Sequence, residues 1–312
     1  MSPIPIILDC DPGHDDAMAM ILAAYSPEID LRGIVTVSGN GVIEKVTLNA
    51  LRICALAKIN VPVAQGAGQS LMGSGDAATY IHGESALDGA DLPHPTFELS
   101  PESGVELIAR LVSESDVPIT LVATGPLTNI ALFLKLYPDL ISNVKEIVFM
   151  GGSAGRGNRS AYAEFNIWMD PDATDVVLKS GLPMTMCGLD VTHEALVTSE
   201  IFDRLHAMET PLSQTIIGLM KFFASTYNDV YEMPDPPLHD PVAIAVLIDR
   251  EVVRSKHVNV EVELHGTFTR GATVVDIHNM DGRPANVTVA LGLDAPKFWD
   301  LMLNAVELAG KA

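Results

Sequence analysis

The stretch Ile6-Ile7-Leu8-Asp9-Cys10-Asp11-Pro12-Gly13-His14-Asp15-Asp16 sets four carboxylates within eight residues, directly after an apolar run. An apolar run that enters a Pro-Gly turn reads as a buried parallel strand with the acids at its carboxyl end. Open α/β sheets bind their ligands at that end. Four like charges this close repel one another, and burial adds to the cost. Hard cations such as Ca²⁺ or Mg²⁺ take oxygen ligands and relieve such repulsion, so the stretch predicts a metal site. Helix N-capping would explain one of Asp15 and Asp16, but not Asp9 and Asp11 as well.

Other groups suit the same chemistry less specifically. His239-Asp240-Pro241 follows a Pro-rich loop and precedes an apolar segment, 242–248. Asp before a first-turn Pro also fits an ordinary helix start, and His239 alone also suits a buried structural imidazole. Val37-Ser38-Gly39-Asn40, Ala123-Thr124-Gly125-Pro126-Leu127-Thr128-Asn129 and Met150-Gly151-Gly152-Ser153 each follow a strand-like run. Glycine there lets a ligand approach the backbone, and a carbonyl at the Thr124 strand end could hold a metal or a sugar. Asn158, Glu164, Phe165 and Asn166 bring two amides, a carboxylate and a ring together within nine residues, a set suited to hydroxyl recognition. Four strand ends thus carry Gly with Asp, Asn or Thr, and their convergence on one rim is the argument.

The elements that must position these residues alternate. Strand-like runs at 5–9, 31–37, 61–64, 119–124, 147–151 and 184–187 are interleaved with helical patterns at 15–25, 42–56, 104–113 and 127–136. That alternation predicts βαβ units: an α/β fold with a mainly parallel, Rossmann-like central sheet covered by helices on both faces. Residues 65–100 are rich in Gly, Ser, Pro and His and form a long connection, the kind that is functional or mobile. Residues 198–233, with a helix at 211–227, read as a helical insertion. Runs at 258–264, 272–277 and 287–291 read as additional antiparallel strands before a last helix at 295–308. Without repeats or linker-like composition, residues 1–312 are expected to form a single catalytic domain.

Composition narrows the partners. With 19 basic and 40 acidic residues the formal charge is −21, which argues against nucleic acid or an anionic membrane and favours a neutral or cationic small ligand. Cys10, Cys54 and Cys187 are too few and too scattered for a disulfide framework or a thiolate metal site, and read as buried and reduced. The start Met1-Ser2-Pro3-Ile4-Pro5 lacks the pattern of a signal peptide, and no run approaches the ~18 apolar residues of a membrane span. A cytoplasmic location is the expectation.

The chain resembles the nucleoside hydrolases, the inosine-uridine-preferring ribonucleoside N-glycosidases. The run from Asp9 to Asp16 matches that family's hallmark. The similarity continues through Gly39-Asn40, His82-Gly83-Glu84-Ser85, Thr124 to Asn129, Met150-Gly151-Gly152, Ala163-Glu164-Phe165-Asn166, Gly188 to His193 and His239-Asp240-Pro241. The resemblance implies Ca²⁺ held by Asp11, Asp15, Asp16, Asp240 and the Thr124 carbonyl, with ribose hydroxyls and a water completing the coordination. It implies that Asp11 is the general base on that metal-bound water and His239 the leaving-group acid. Asn40, Asn158, Glu164 and Asn166 would hold ribose hydroxyls while Met150 packs beneath the sugar. His82, Phe165, Phe223, Tyr227 and Tyr231 would face the base, although Phe223 and Tyr227 also fit helix-core packing. The substrates implied are inosine, uridine, cytidine or related nucleosides, and relatives suggest a homodimer or homotetramer. His14 matches a variable position, and His193 reads as support. Haloacid-dehalogenase-like phosphatases also place Asp-x-Asp at a first strand end, but carry a hydroxyl residue where this chain has Pro12-Gly13.

Overall fold

Strand β1 (Ile4–Cys10) is an interior strand of the sheet, and its residues 6–10 are apolar or acidic groups almost wholly removed from water. Pro5 sits where β1 has not yet met its second neighbour, so its missing N–H leaves no gap in the ladder. The computed structural model describes residues 2–73 and 79–312. Among the described residues, β1 joins β2 (Ile29–Thr36), β3 (Val63–Gln65), β4 (Ile119–Ala123), β5 (Val144–Met150), β6 (Met184–Cys187), β7 (Val253–Val262), β8 (Thr273–Asp276) and β9 (Val287–Leu293) in one sheet. The order is β3-β2-β1-β4-β5-β6-β9-β7-β8.

The first six strands pair in parallel, as the βαβ rhythm predicts. Of the three C-terminal strands, β7 and β8 are antiparallel, but β9 is not wholly so. It runs parallel to β6 and antiparallel to β7, extending the parallel sheet by one strand. β7 also starts five residues earlier than hydropathy suggests, because residues 254–257 are polar and exposed along its first half.

Apolar side chains fill both faces. Helices His14–Tyr25, Pro241–Ile248 and Ala295–Lys311 pack with Leu8, Val122 and Val148 on one side. Gly104–Glu114, Thr128–Leu136 and Pro171–Leu178 pack with Ile7, Leu121 and Phe149 on the other. The insertion resolves into helices Ser199–Ala207 and Pro211–Tyr231. Within the long connection at 65–100, residues 74–78 lie outside the described residues. The short helix Thr79–His82 that follows them carries Ile81 and His82 to the carboxyl rim of the sheet.

Candidate active site

The turn after β1 is built around Asp16. Its buried carboxylate accepts the Gly13 N–H at 3.0 Å, the Thr124 hydroxyl at 2.8 Å and the Asn40 amide at 3.1 Å. These bonds tie the ends of β1 and β4 and the loop after β2 into one rim. Asp15, Asp16 and Asp240 each bring an oxygen within 4.8 Å of the others. Helix Pro241–Ile248 supplies Asp240 from its N-terminal end, so three acids from two distant segments meet.

Asp11 lies beside this trio and not within it. Its Oδ2 accepts the Asn40 N–H at 2.7 Å, and its Oδ1 is buried with no partner among the described residues. Glycine is required around it: a Cβ at Gly39 would overlap Asp11 Oδ2, and one at Gly125 would stand 2.6 Å from Oδ1.

Burial pushes the Asp11 carboxyl well above the usual range, with the charges of Asp16, Asp15 and Asp9 adding to the shift. Asp240 is raised by burial and then by Asp15, Asp16 and Asp11. Asp15 is pushed up to about 7 by burial and by Asp16. Asp15 Oδ1 is also buried without a hydrogen-bond partner among the described residues. Clustered oxygens and orphaned buried lone pairs are features that a bound cation would relieve. An all-oxygen donor set suits a hard cation. The residues present therefore fit a divalent cation held by Asp15, Asp16 and Asp240, with the Thr124 carbonyl and Asp11 adjoining.

Asp9, the first acid of the run, turns away from the trio. It accepts the Asn129 amide at 2.8 Å, and burial still pushes its carboxyl up to about 8. Asn129 also donates to the Thr36 carbonyl at 3.0 Å and accepts the Ala67 N–H at 2.8 Å, so one side chain bridges three strands' ends. Asn129→Leu keeps the branching but strands the Asp9 oxygen and the Ala67 N–H. We expect a loss of about 3 kcal/mol or more, read as a lowered urea midpoint.

Except for Asp11 and Asp16, the expected site residues line one cavity. Asn40, Thr124, Met150, Glu164 and Asn166 surround its acidic end. Asn166 donates to the Thr124 carbonyl at 2.7 Å and the Met150 carbonyl at 3.2 Å. Glu164 caps the helix Phe165–Met169, accepting N–H groups of Asn166, Ile167 and Gly152, and burial raises it to about 7. Asn158 accepts the Phe165 N–H at 2.9 Å, and its carbonyl accepts the Tyr231 hydroxyl at 3.2 Å.

The aromatic end holds Ile81, His82, Phe165, Phe223, Tyr227, Tyr231 and His239. Phe223 and Tyr227 pack in one cluster with Ile81 and also line the cavity. His239 Nε2 stands 2.7 Å from the Tyr227 hydroxyl, and Nδ1 stands 2.7 Å from the Thr192 hydroxyl. Histidine's usual near-neutral titration does not survive this setting: burial holds His239 well below its ordinary value, and His193 lowers it further.

The model of the inosine-uridine preferring nucleoside hydrolases matches residues 6–300. The chain belongs to this family. It is 46% identical over 300 residues to a pyrimidine-specific ribonucleoside hydrolase, RihA, of Photobacterium profundum, covering 96% of this chain and 97% of that one. It is 43% identical over 306 residues to the protein of the same description from Escherichia coli, covering 97% and 98%. A solved purine-preferring ribonucleoside hydrolase from Gardnerella vaginalis superposes with a TM-score of 0.91 at 33% identity, covering 99% and 100% of the two chains.

In this nucleoside hydrolase fold, three polar residues matter that the sequence alone did not single out. Asn129 was quoted only as part of a turn. Thr192 holds His239, and Asp170 accepts the Thr128 hydroxyl at 2.7 Å, the Leu71 N–H at 2.8 Å and the Ala173 N–H at 3.0 Å. Asp170-Pro171 repeats the Asp-Pro helix start of Asp240-Pro241, which was a usable signal. Thr192 and Asn129 had none, because their partners are 47 and 120 residues away in the chain.

Proposed function

We propose that the chain hydrolyses the N-glycosidic bond of ribonucleosides, pyrimidine nucleosides foremost, to ribose and free base, with Ca²⁺ as its cofactor. The observation that carries the reading is the cavity's two ends: a buried acid cluster at one and the His239–Tyr227 pair among rings at the other. The pyrimidine preference is drawn from relatives at 43–46% identity, whereas the superposed purine-preferring enzyme is more distant at 33%.

A bound Ca²⁺ would hold the ribose diol and make the attacking water more acidic. Asp11 accepts that water's proton through Oδ1, the oxygen that has no other partner, while the Asn40 N–H holds Oδ2 in place. Asn40, Asn158, Glu164 and Asn166 grip the sugar as C1′ gains positive charge, and the Glu164 carboxylate stabilises that charge. Met150 supports the ring from below. The C1′–N bond breaks with its electron pair on the base, and a proton reaches the base through the His239–Tyr227 pair. Because burial disfavours an imidazolium at His239, the proton that the base takes from the pair is replaced from solvent, matching the proton that Asp11 takes from the water and later gives up. His82, Phe165 and Tyr231 frame the base.

His239→Ala is expected to lower kcat on uridine roughly 100-fold or more with KM little changed. An unchanged kcat would remove His239 from proton delivery. The test of the reading itself is free-ribose release from uridine, cytidine and inosine without phosphate. Uridine and cytidine should give the higher kcat/KM. A preference for inosine overturns the pyrimidine assignment, and no release from any of them overturns hydrolysis. Assembly as a homodimer or homotetramer in the cytoplasm belongs to the same reading, and sedimentation velocity tests the assembly. Among the described residues no helix is long and apolar enough to cross a membrane.

A further inference from the structure

His14 is a member of the acidic hallmark run that neither the cation site nor the proposed mechanism uses. It is wholly buried, stacked at ring-centroid distances of 5.5 Å on Phe222, 5.2 Å on Phe223 and 5.3 Å on His82. Its Nε2 lies 2.7 Å from the backbone carbonyl of Asp88, and its Nδ1 lies 3.0 Å from His82 Nδ1.

These two contacts fix the direction of a hydrogen-bond chain. A carbonyl oxygen only accepts, so His14 carries a proton on Nε2. Among the described residues no carboxylate oxygen bonds either ring nitrogen of His14; the Asp88 carboxylate is engaged by the Ser85 hydroxyl and the Glu84 N–H. A buried cation without such compensation is costly, so the ring is neutral and its Nδ1 is a bare lone pair. The facing Nδ1 of His82 must then donate. A neutral imidazole has one N–H, which leaves His82 Nε2 as an acceptor. The His14 backbone N–H also points at His82 Nδ1, but at 3.4 Å, beyond the ordinary range, and the shorter contact decides. Gly13 makes the approach possible, since a Cβ there would stand 2.6 Å from His82 Nδ1 and 2.7 Å from Cε1.

We propose that His14 is a positioning residue that holds His82 in its Nδ1–H form, so that His82 offers the cavity a bare Nε2 that reads an N–H on the base. In a pyrimidine nucleoside the matching groups are the N3–H of uracil and the exocyclic amino group of cytosine. This rests on the cavity being a pyrimidine nucleoside site, and it assigns His82 to recognition and not to protonation of the leaving group.

The deciding experiment needs no substrate. Long-range ¹H–¹⁵N correlation on histidine-labelled protein, with the His82 signals assigned by their loss in His82→Gln, reads the tautomers directly. Expected are a protonated Nδ1 on His82 and a protonated Nε2 on His14. A proton on His82 Nε2 overturns the proposal, whether or not any variant folds. His14→Phe, which keeps the stack but removes the acceptor, should raise KM for uridine about tenfold with kcat little changed. His14→Asn, whose Oδ1 can take the place of Nδ1, should recover most of that loss. Wild-type enzyme should also prefer uridine to 3-methyluridine by about tenfold, the worth of one lost hydrogen bond, and the preference should vanish in His14→Phe. Equal use of the two nucleosides by the wild type overturns base reading by His82. Failure to hydrolyse uridine at all would overturn the pyrimidine function and leave the tautomer result standing.

Discussion

Asp11→Asn is expected to lower kcat on uridine by roughly 1,000-fold or more while leaving the protein folded, the upper part of the range for losing a general base. The substitution preserves shape. The Asn40 N–H can be met by the new amide oxygen at the position of Oδ2, so the bond that fixes the side chain survives. What is lost is a group able to take a proton at the position of Oδ1, where the new NH₂ would face the reacting water. The same change removes one negative charge from a buried acid cluster whose members raise one another's pKa. Thermal stability should therefore hold or rise as activity falls. Asp11→Ala is a less clean variant, because it also leaves the Asn40 N–H unpaired and opens a void beside Gly39 and Gly125. Measuring kcat and Tm on both separates chemistry from folding. An Asp11→Asn protein with near-normal kcat would remove Asp11 from the mechanism, and one with a much lower Tm would recast it as a structural acid.

Stripping divalent cations is expected to abolish turnover and to make stability depend on pH in a defined direction. Asp9 and Asp15 titrate near 8 and 7 in the folded chain, and Asp11, Asp16 and Asp240 are also raised, burial being the first cause in each case. In an unfolded chain all five return to about 4. The folded form then binds protons more tightly than the unfolded one. The stability these groups contribute is fully present below pH about 4 and is lost as pH rises through the folded values near 7 and 8. A cation bound at Asp15, Asp16 and Asp240 replaces those protons, and at 100 times its Kd it contributes about 2.7 kcal/mol. Calcium-saturated protein should thus melt several degrees above chelated protein at pH 8, with the gap narrowing towards pH 5. Equal melting temperatures across that range would show that no cation occupies the cluster. Restoration of activity by Ca²⁺ in preference to Mg²⁺ would support the choice of metal.

The parallel sheet was legible because apolar runs and helical periods alternate in β1 to β6 with little interruption. The strands that departed from expectation lie where that signal is weak. β9 is one short apolar run whose neighbours come from opposite directions, and hydropathy carries no information on which partner runs parallel. The site residues were legible for a related reason. Asp11, Asp15, Asp16, Asn40 and Thr124 sit in or beside turns that follow buried strands, whereas His82, Tyr227 and Tyr231 come from helices. Asp240 joined them through its own helix start.

By itself, then, the sequence determined the layered α/β plan, the rim on which the chemistry sits, and the acids and amides available there, since these follow from local periodicity and turn chemistry. Only the tertiary structure decided which acids cluster and which do not. Asp9 and Asp11 are two residues apart, yet β1 ends between them: Asp9, still in the strand, meets Asn129, while Asp11, in the turn beyond, lies beside the trio. Only the tertiary structure, too, set the states of the imidazoles. Burial holds His239 neutral between Thr192 and Tyr227, and a carbonyl at Asp88 sets the proton on His14 and, through it, the proton on His82. Hydrogen-bond direction and desolvation depend on neighbours tens of residues away, and no local pattern in the chain encodes them.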